Sequence, residues 1–316
     1  MELFLNILFL LIGFVLLIKG ADFFVEGSSQ IAKYFKIPTL VIGLTLVSIG
    51  TSLPEISVSV SSAIANKTDL SFGNVIGSNI FNILVVLGLC AIIKQIVVPK
   101  DAIKFDIPIY LGIIVILVLF AFVFTPYQIV WYEALILFLI FLGYMTFIIL
   151  RSRKDIKNSE PEEYCPARKM IWNVLFVIGG AVAIIFGGDF VVDSAAEIAR
   201  AFNMSELLVG LTIIAVGTSL PELVTSMVAA KKGEVDIAVG NAVGSCIFNI
   251  VLILGLSGMI SPIGIQQLAY IDLIIMTVAI VLTFVFSFKS KKINRWQGLI
   301  LVAIYIGYLT YIILRA

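Results

Sequence analysis

The sequence predicts an all-α integral membrane protein of ten transmembrane helices, arranged as two inverted-topology five-helix repeats. Three observations predict it. Of 316 residues, 61% are hydrophobic and 13% charged, with a mean hydropathy of +1.14. A soluble domain carries about 25% charged residues, a deficit too large to reflect core size. Apolar runs long enough to cross a bilayer, about 20 residues each, recur along the whole chain. Finally, residues 43–89 align without a gap on residues 210–256, at an offset of 167 and with roughly half the positions identical.

Length and helix breakers place five spans in each half. In the first half they run near 3–35, 37–66, 71–94, 103–124 and 127–150, and in the second near 169–202, 204–231, 236–260, 268–289 and 294–315. The apolar run from Leu3 to Ile18 opens a long helix. It lacks a small-residue cleavage site followed by a polar mature region, so it is not read as a signal peptide. The first and sixth spans are long enough to tilt or to extend into the interface. The repeat reaches beyond the aligned block: Gly20, Asp22 and Phe23 match Gly187, Asp189 and Phe190, and "LGYMTFIILR" echoes "IGYLTYIILR". The chain thus divides into a first repeat (1–150), a polar loop (151–168) and a second repeat (169–316).

An odd number of spans per repeat turns the second copy upside down. Lys and Arg concentrate on cytoplasmic loops. With the central loop cytoplasmic, 17 of the 21 Lys and Arg lie on that side, and Lys67, Arg200 and Arg315 lie on the other. Both termini are therefore expected outside, in a multi-pass cell-membrane protein.

Composition also excludes. Cys90, Cys165 and Cys246 have neither disulfide nor metal-site spacing. There is no histidine, hence no imidazole proton shuttle and no imidazole ligand for a transition metal. A net charge of +1 gives no reason to expect nucleic acid.

The chemistry lies in a duplicated break. Gly50-Thr51-Ser52-Leu53-Pro54-Glu55 and Gly217-Thr218-Ser219-Leu220-Pro221-Glu222 both fall in mid-span. Pro54 lacks an amide hydrogen and clashes with the carbonyl of Gly50, as Pro221 does with that of Gly217. Carbonyls around Ser48 to Gly50 and Ala215 to Gly217 are expected to lose regular partners, and in a membrane such groups must line a cavity or meet an ion. Glu55 and Glu222 are the only carboxylates deep in these helices. Thr51 and Thr218 lie one turn earlier on the same faces. On the following span Asn74, Ser78 and Asn82, and likewise Asn241, Ser245 and Asn249, form polar stripes at spacings of four. Gly73 and Gly77, with Gly240 and Gly244, give small surfaces for close helix packing. Carboxylates, hydroxyls, amide oxygens and freed carbonyls suit a hard cation: Ca2+ takes about 6–8 oxygen ligands, and Na+ is also oxygen-seeking.

"GTSLPE" twice, with "GNVIGSNIFN" and "GNAVGSCIFN", resembles the paired alpha-repeats of the sodium/calcium exchanger superfamily. The resemblance covers essentially the whole chain and is closest to the short archaeal and bacterial members. It implies ten helices, with the second, third, seventh and eighth around the site and the long first and sixth sliding to alternate access. It implies a calcium site of Glu55, Glu222, Thr51 and Thr218. Sodium sites would draw on Ser52, Ser78, Ser219, Ser245 and the carbonyls of Ser48 and Ala215, with Asn82 and Asn249 bordering the centre. The substrates are Na+ and Ca2+; no cofactor is expected, and the chain is expected to work as a monomer in the lipid bilayer. Potassium-dependent members carry Asp where this chain has Asn249, so potassium co-transport is not expected.

Other readings compete. Intramembrane ionisable groups are functional by default, but Glu55 and Glu222 could form a structural pair. Asn74 and Asn241 could equally be interhelical glue. Asp22 and Asp189 sit near span ends, where acids are cheap. A proton/calcium exchanger, a cation channel and an intramembrane enzyme are the alternative functions. The Thr-Ser pair before each proline favours sodium, inverted repeats favour alternating access, and the repeats hold no serine–lysine or paired-aspartate arrangement for catalysis.

Overall fold

The computed structural model describes residues 2–157, 167–202, 204, 215–267 and 269–315. The central loop and residues 205–214, which open the expected seventh span, fall largely outside them. The described chain is helical, with π-helical turns within some helices, and its connections hold four two-residue strands. Helix α1 (Glu2–Phe35) leads to α2 (Thr39–Thr51) and α3 (Leu53–Ile64), which meet at a bend of 50°. Then come α4 (Thr68–Ile93), β1 (Ile96–Val97), α5 (Ala102–Phe124), β2 (Gln128–Ile129) and α6 (Trp131–Lys157). The second half holds α7 (Ala167–Ala201), a short turn Ala215–Gly217 leading into α8 (Leu220–Lys232), and α9 (Val235–Ile260). It closes with β3 (Ile263–Gly264), α10 (Ala269–Ser290), β4 (Lys292–Ile293) and α11 (Arg295–Arg315). Eight of these helices are long and apolar enough to cross a membrane, and the bent α2–α3 pair makes up to nine.

Burial divides the helices into two classes. The core is built on α4 and α9, whose Val75, Ile80, Ile83, Ala242, Ile247 and Ile250 are fully buried. The outer helices turn large apolar side chains outward, among them Phe4, Leu11, Val15, Ile171 and Ile178. In water such a surface would be a liability; in lipid it is the solvated face.

The two longest helices, α1 and α7, pack against each other along their lengths. Their approach depends on glycine: a Cβ at Gly180 would lie 2.7 Å from the Gly20 carbonyl oxygen, inside contact distance. Gly240 and Gly244 serve α9 in the same way against α2, as the small-residue spacing predicts, with a Cβ at Gly240 falling 2.7 Å from the Leu40 carbonyl. No described residue lies against Gly73 or Gly77; the repeat partner of α2 falls in 205–214.

The connections gather at two ends. At one, β1 pairs with β4 (Ile96 with Ile293) and Lys33 meets Glu234 at 3.6 Å. At the other, β2 pairs with β3 (Gln128 with Gly264) and Ser261 donates to Asn66 at 3.2 Å. The first end also holds the Lys232–Asp22 pair at 2.8 Å.

Candidate functional site

The duplicated break has the same local form twice. Ser52 (φ −86°, ψ 9°) and Ser219 (φ −94°, ψ 7°) leave helical geometry, and Pro54 and Pro221 sit in the first turns of α3 and α8. Proline suits a first turn, where its missing N–H would lack an intrahelical partner in any case. Glu55 and Glu222 then fall in the first turns, where the helix dipole favours negative charge. One expectation fails here. The Ser48 carbonyl is not stripped of its partner, because the Ser52 N–H donates to it at 3.0 Å. Proline removes only its own donor, two residues further on. In the second copy the Ser219 N–H turns to the Val216 carbonyl, three residues back, at 3.2 Å. The backbone of Ala215 lies in the turn just before.

The serines cross between the copies. Ser52 donates to Glu222 Oε1 at 2.8 Å and lies 3.1 Å from the Ser245 hydroxyl, which is itself 3.5 Å from that carboxylate. Ser219 donates to Glu55 Oε1 at 3.2 Å and lies 3.1 Å from the Ser78 hydroxyl. Ser48, Ser52, Ser219, Ser245, Glu55, Glu222 and Asn249 are fully or almost fully buried, as are Thr51, Ser78 and Asn82. The fold thus brings both carboxylates and all four flanking serines into one buried cluster.

Several oxygens in this cluster have no protein partner among the described residues: Oε2 of Glu55 and of Glu222, Oδ1 of Asn82 and of Asn249, and Oγ1 of Thr218. Buried acceptors are normally satisfied. Carboxylate, amide and hydroxyl oxygens of this kind are a hard cation's ligand chemistry. Asn82 and Asn249 also open π-helical turns, Asn82–Val86 and Asn249–Leu254, a distortion frequent at functional sites.

The two threonines differ. Thr51 directs its hydroxyl to Asn241 Oδ1 at 3.0 Å and to the Val47 carbonyl at 3.1 Å. Thr218 lines a cavity of about 470 Å³ that also reaches Ser78 and Asn74. Its wall continues past Tyr305 and Tyr308 to Asp69, Gly264 and Gln266, at the end where β2 pairs with β3. Asn74 and Asn241 brace the broken helices. Asn74 donates to the Glu55 carbonyl (3.4 Å) and Ser59 (3.0 Å), and Asn241 to the Glu222 carbonyl (3.3 Å) and Ser226 (2.9 Å). Asp22 stays outside the cluster, paired with Lys232, and Asp189 is exposed. Sequence reasoning missed Asn79, which is fully buried and bonded to Asn249 at 3.0 Å.

A multi-span helical protein that buries two carboxylates among hydroxyl and amide oxygens belongs to the class of membrane cation transporters. The chain belongs to the sodium/calcium exchanger protein family, which matches residues 5–150 and 172–314, and it is a cation/calcium antiporter of the prokaryotic type. It is 31% identical to sodium/calcium exchanger MaX1 of Methanosarcina acetivorans, over 96% of this chain and 97% of that one. It is 36% identical to inner membrane protein YrbG of Escherichia coli, over 95% and 94%. Its fold matches the sodium-calcium exchanger NCX_Mj soaked with 10 mM Na+ and 10 mM Sr2+, with a TM-score of 0.86 at 32% identity over 98% of both chains. Exchangers of this family are transporters, not enzymes.

Proposed function

We propose that the protein exchanges Na+ for Ca2+ by alternating access and does so without K+. The observation that carries this reading is the crossed pairing of Ser52 with Glu222 and Ser219 with Glu55, which leaves one oxygen of each carboxylate without a partner among the described residues. Two glutamates balance one Ca2+ or two Na+, so the two cargoes compete for one set of charges. Glu55, Glu222, Thr51 and Thr218 hold Ca2+. Ser52, Ser78, Ser219, Ser245 and the carbonyls of Ser48 and Ala215 serve Na+. Asn82 and Asn249 present neutral oxygens to the centre.

The architecture that serves this is ten crossings, in an inverted pair of repeats (1–150 and 169–316) joined by the loop 151–168. The grouping of the connections at two ends supports alternate crossings. The end holding Lys33, Lys232 and Lys292 is cytoplasmic, and both termini are outside. The cavity from Asp69 to Thr218 is then the outer path to the ions. The protein needs no cofactor and works as a monomer in the cell membrane.

A channel would also place carboxylates on an ion path. The discriminating experiment is Ca2+ flux in proteoliposomes with and without a counter-ion on the far side. Exchange predicts saturable Ca2+ flux that stops when the trans ion is removed. Flux that continues without a trans ion would overturn the antiport reading.

A further inference from the structure

We infer that Asn79 is a positioning residue that fixes the Asn249 amide so that its oxygen, and not its nitrogen, is presented to the ion. The inference rests on the reading of Asn249 as a neutral ligand. It follows from a chain of donors and acceptors in which each link leaves no choice for the next. The backbone carbonyl of Cys246 can only accept. It takes a hydrogen bond from Asn79 Nδ2 at 3.0 Å, which fixes the nitrogen end of the Asn79 amide. The other end is therefore Oδ1, an acceptor. Asn249 meets it with Nδ2 at 3.0 Å, because two carbonyl oxygens would repel. Asn249 Oδ1 is then turned away from Asn79, fully buried and without a protein partner among the described residues. A backbone group two links away thus determines which atom Asn249 offers.

Position reinforces this reading. Asn249 lies one turn beyond Ser245, on the same face of α9, and Ser245 is within 3.5 Å of Glu222 Oε1. The π-helical turn that Asn249 opens packs against α3, the helix that carries Glu55. Asn249 therefore sits on the face of α9 that carries Ser245 and beside the helix that carries Glu55.

The device exists on one side only. Asn79 breaks the repeat: its counterpart is Cys246, whose side chain cannot replace an amide's paired donor and acceptor. Accordingly Asn82, the counterpart of Asn249, has neither Oδ1 nor Nδ2 bonded among the described residues. Among the described residues, one amide of the pair has a partner that orients it and the other has none. Groups that orient a metal ligand without touching the metal cost about 10- to 100-fold in metal affinity when removed.

The test measures Ca2+ binding by calorimetry on the detergent-purified full chain, with thermal melting in parallel, for Asn79→Leu, Asn249→Leu and the double variant. Asn79→Leu should weaken Ca2+ binding by about 10-fold or more. In the Asn249→Leu background it should cost nothing further, since it acts only through that amide. Equal losses from Asn79→Leu in both backgrounds would make Asn79 mere helix glue and overturn the inference, as would a normal affinity in the single variant. If Asn249→Leu itself binds Ca2+ normally, the ligand reading beneath the inference fails, and the inference with it. Should Asn79→Leu not fold, Asn79→Ala takes its place. Its methyl group can neither donate to the Cys246 carbonyl nor accept from Asn249, so the same non-additive loss is expected.

Discussion

Ser52 and Glu222 lie 170 residues apart and are joined by a 2.8 Å hydrogen bond in the buried centre. Each half of the chain thus supplies a hydroxyl to the carboxylate of the other, so neither half holds a complete site. Glu55→Gln and Glu222→Gln should each abolish Ca2+ transport. Stripping one charge from a desolvated divalent ion costs about 3–5 kcal/mol by analogy with broken buried pairs, or more than about 100-fold in binding at 1.4 kcal/mol per decade. Both variants should still purify as folded protein, since the amide keeps the size and an acceptor oxygen. Near-normal uptake by either one removes that glutamate from the site.

In the proposed site, the charge of the centre turns on Asn249. As an amide it leaves two carboxylates; as Asn249→Asp it would add a third, and an additional cation such as K+ or a bound proton would be needed to neutralise it. Exchange by the native chain should run equally well with K+ replaced by choline on both sides. Asn249→Asp should alter ion coupling far more than thermal stability. Uptake by the native chain that collapses without K+ and returns on its addition would show the potassium reading to be wrong.

Cys165 lies in the loop between the halves, outside the described residues, whereas Cys90 and Cys246 are buried. The distribution of Lys and Arg predicts a cytoplasmic loop. An impermeant thiol reagent should label Cys165 in inverted vesicles and leave it untouched in intact cells. Labelling in intact cells would reverse the orientation proposed here.

The contact between α1 and α7 provides a test of packing with an internal control. Gly180 is buried against Gly20, whereas the adjacent Gly179 faces outward with nothing within 4 Å of an added Cβ. Gly180→Ala should lower stability by about 1–3 kcal/mol, the usual cost of overpacking, and Gly179→Ala should have little effect. Melting curves of the two purified variants make the comparison. Equal melting temperatures would mean that the helices do not meet at Gly20.

The sequence made the site's residues visible before their partners. Two copies of Gly-Thr-Ser-Leu-Pro-Glu point to a broken helix and a carboxylate in each half, because proline and buried charge have few other uses in a span. Helical periodicity relates residues on one helix only. It placed Thr51 below Glu55 but could not show Ser52 reaching Glu222, which depends on how the halves face each other. The repeat also implied equivalence where the structure is unequal: Thr51 is bonded to Asn241, while Thr218 lines the cavity. The Ser48 carbonyl was misjudged because the effect of Pro54 was extended past the one amide it lacks. Asn79 did leave a trace, as the polar departure from the repeat between Ser78 and Asn82. A search for matching positions does not find it, because Cys246 stands at its counterpart.

The central claim is that the Na+ gradient drives Ca2+ across the membrane through the paired glutamates. Its most direct test is radiolabelled Ca2+ uptake into proteoliposomes under one imposed gradient at a time. Sodium-loaded vesicles diluted into sodium-free buffer, with pH equal and clamped on both sides, should take up Ca2+. Uptake should vanish when the Na+ gradient is dissipated, and a pH gradient without Na+ should not restore it. Uptake that follows the pH gradient and ignores Na+ would contradict the account and identify a proton/calcium exchanger.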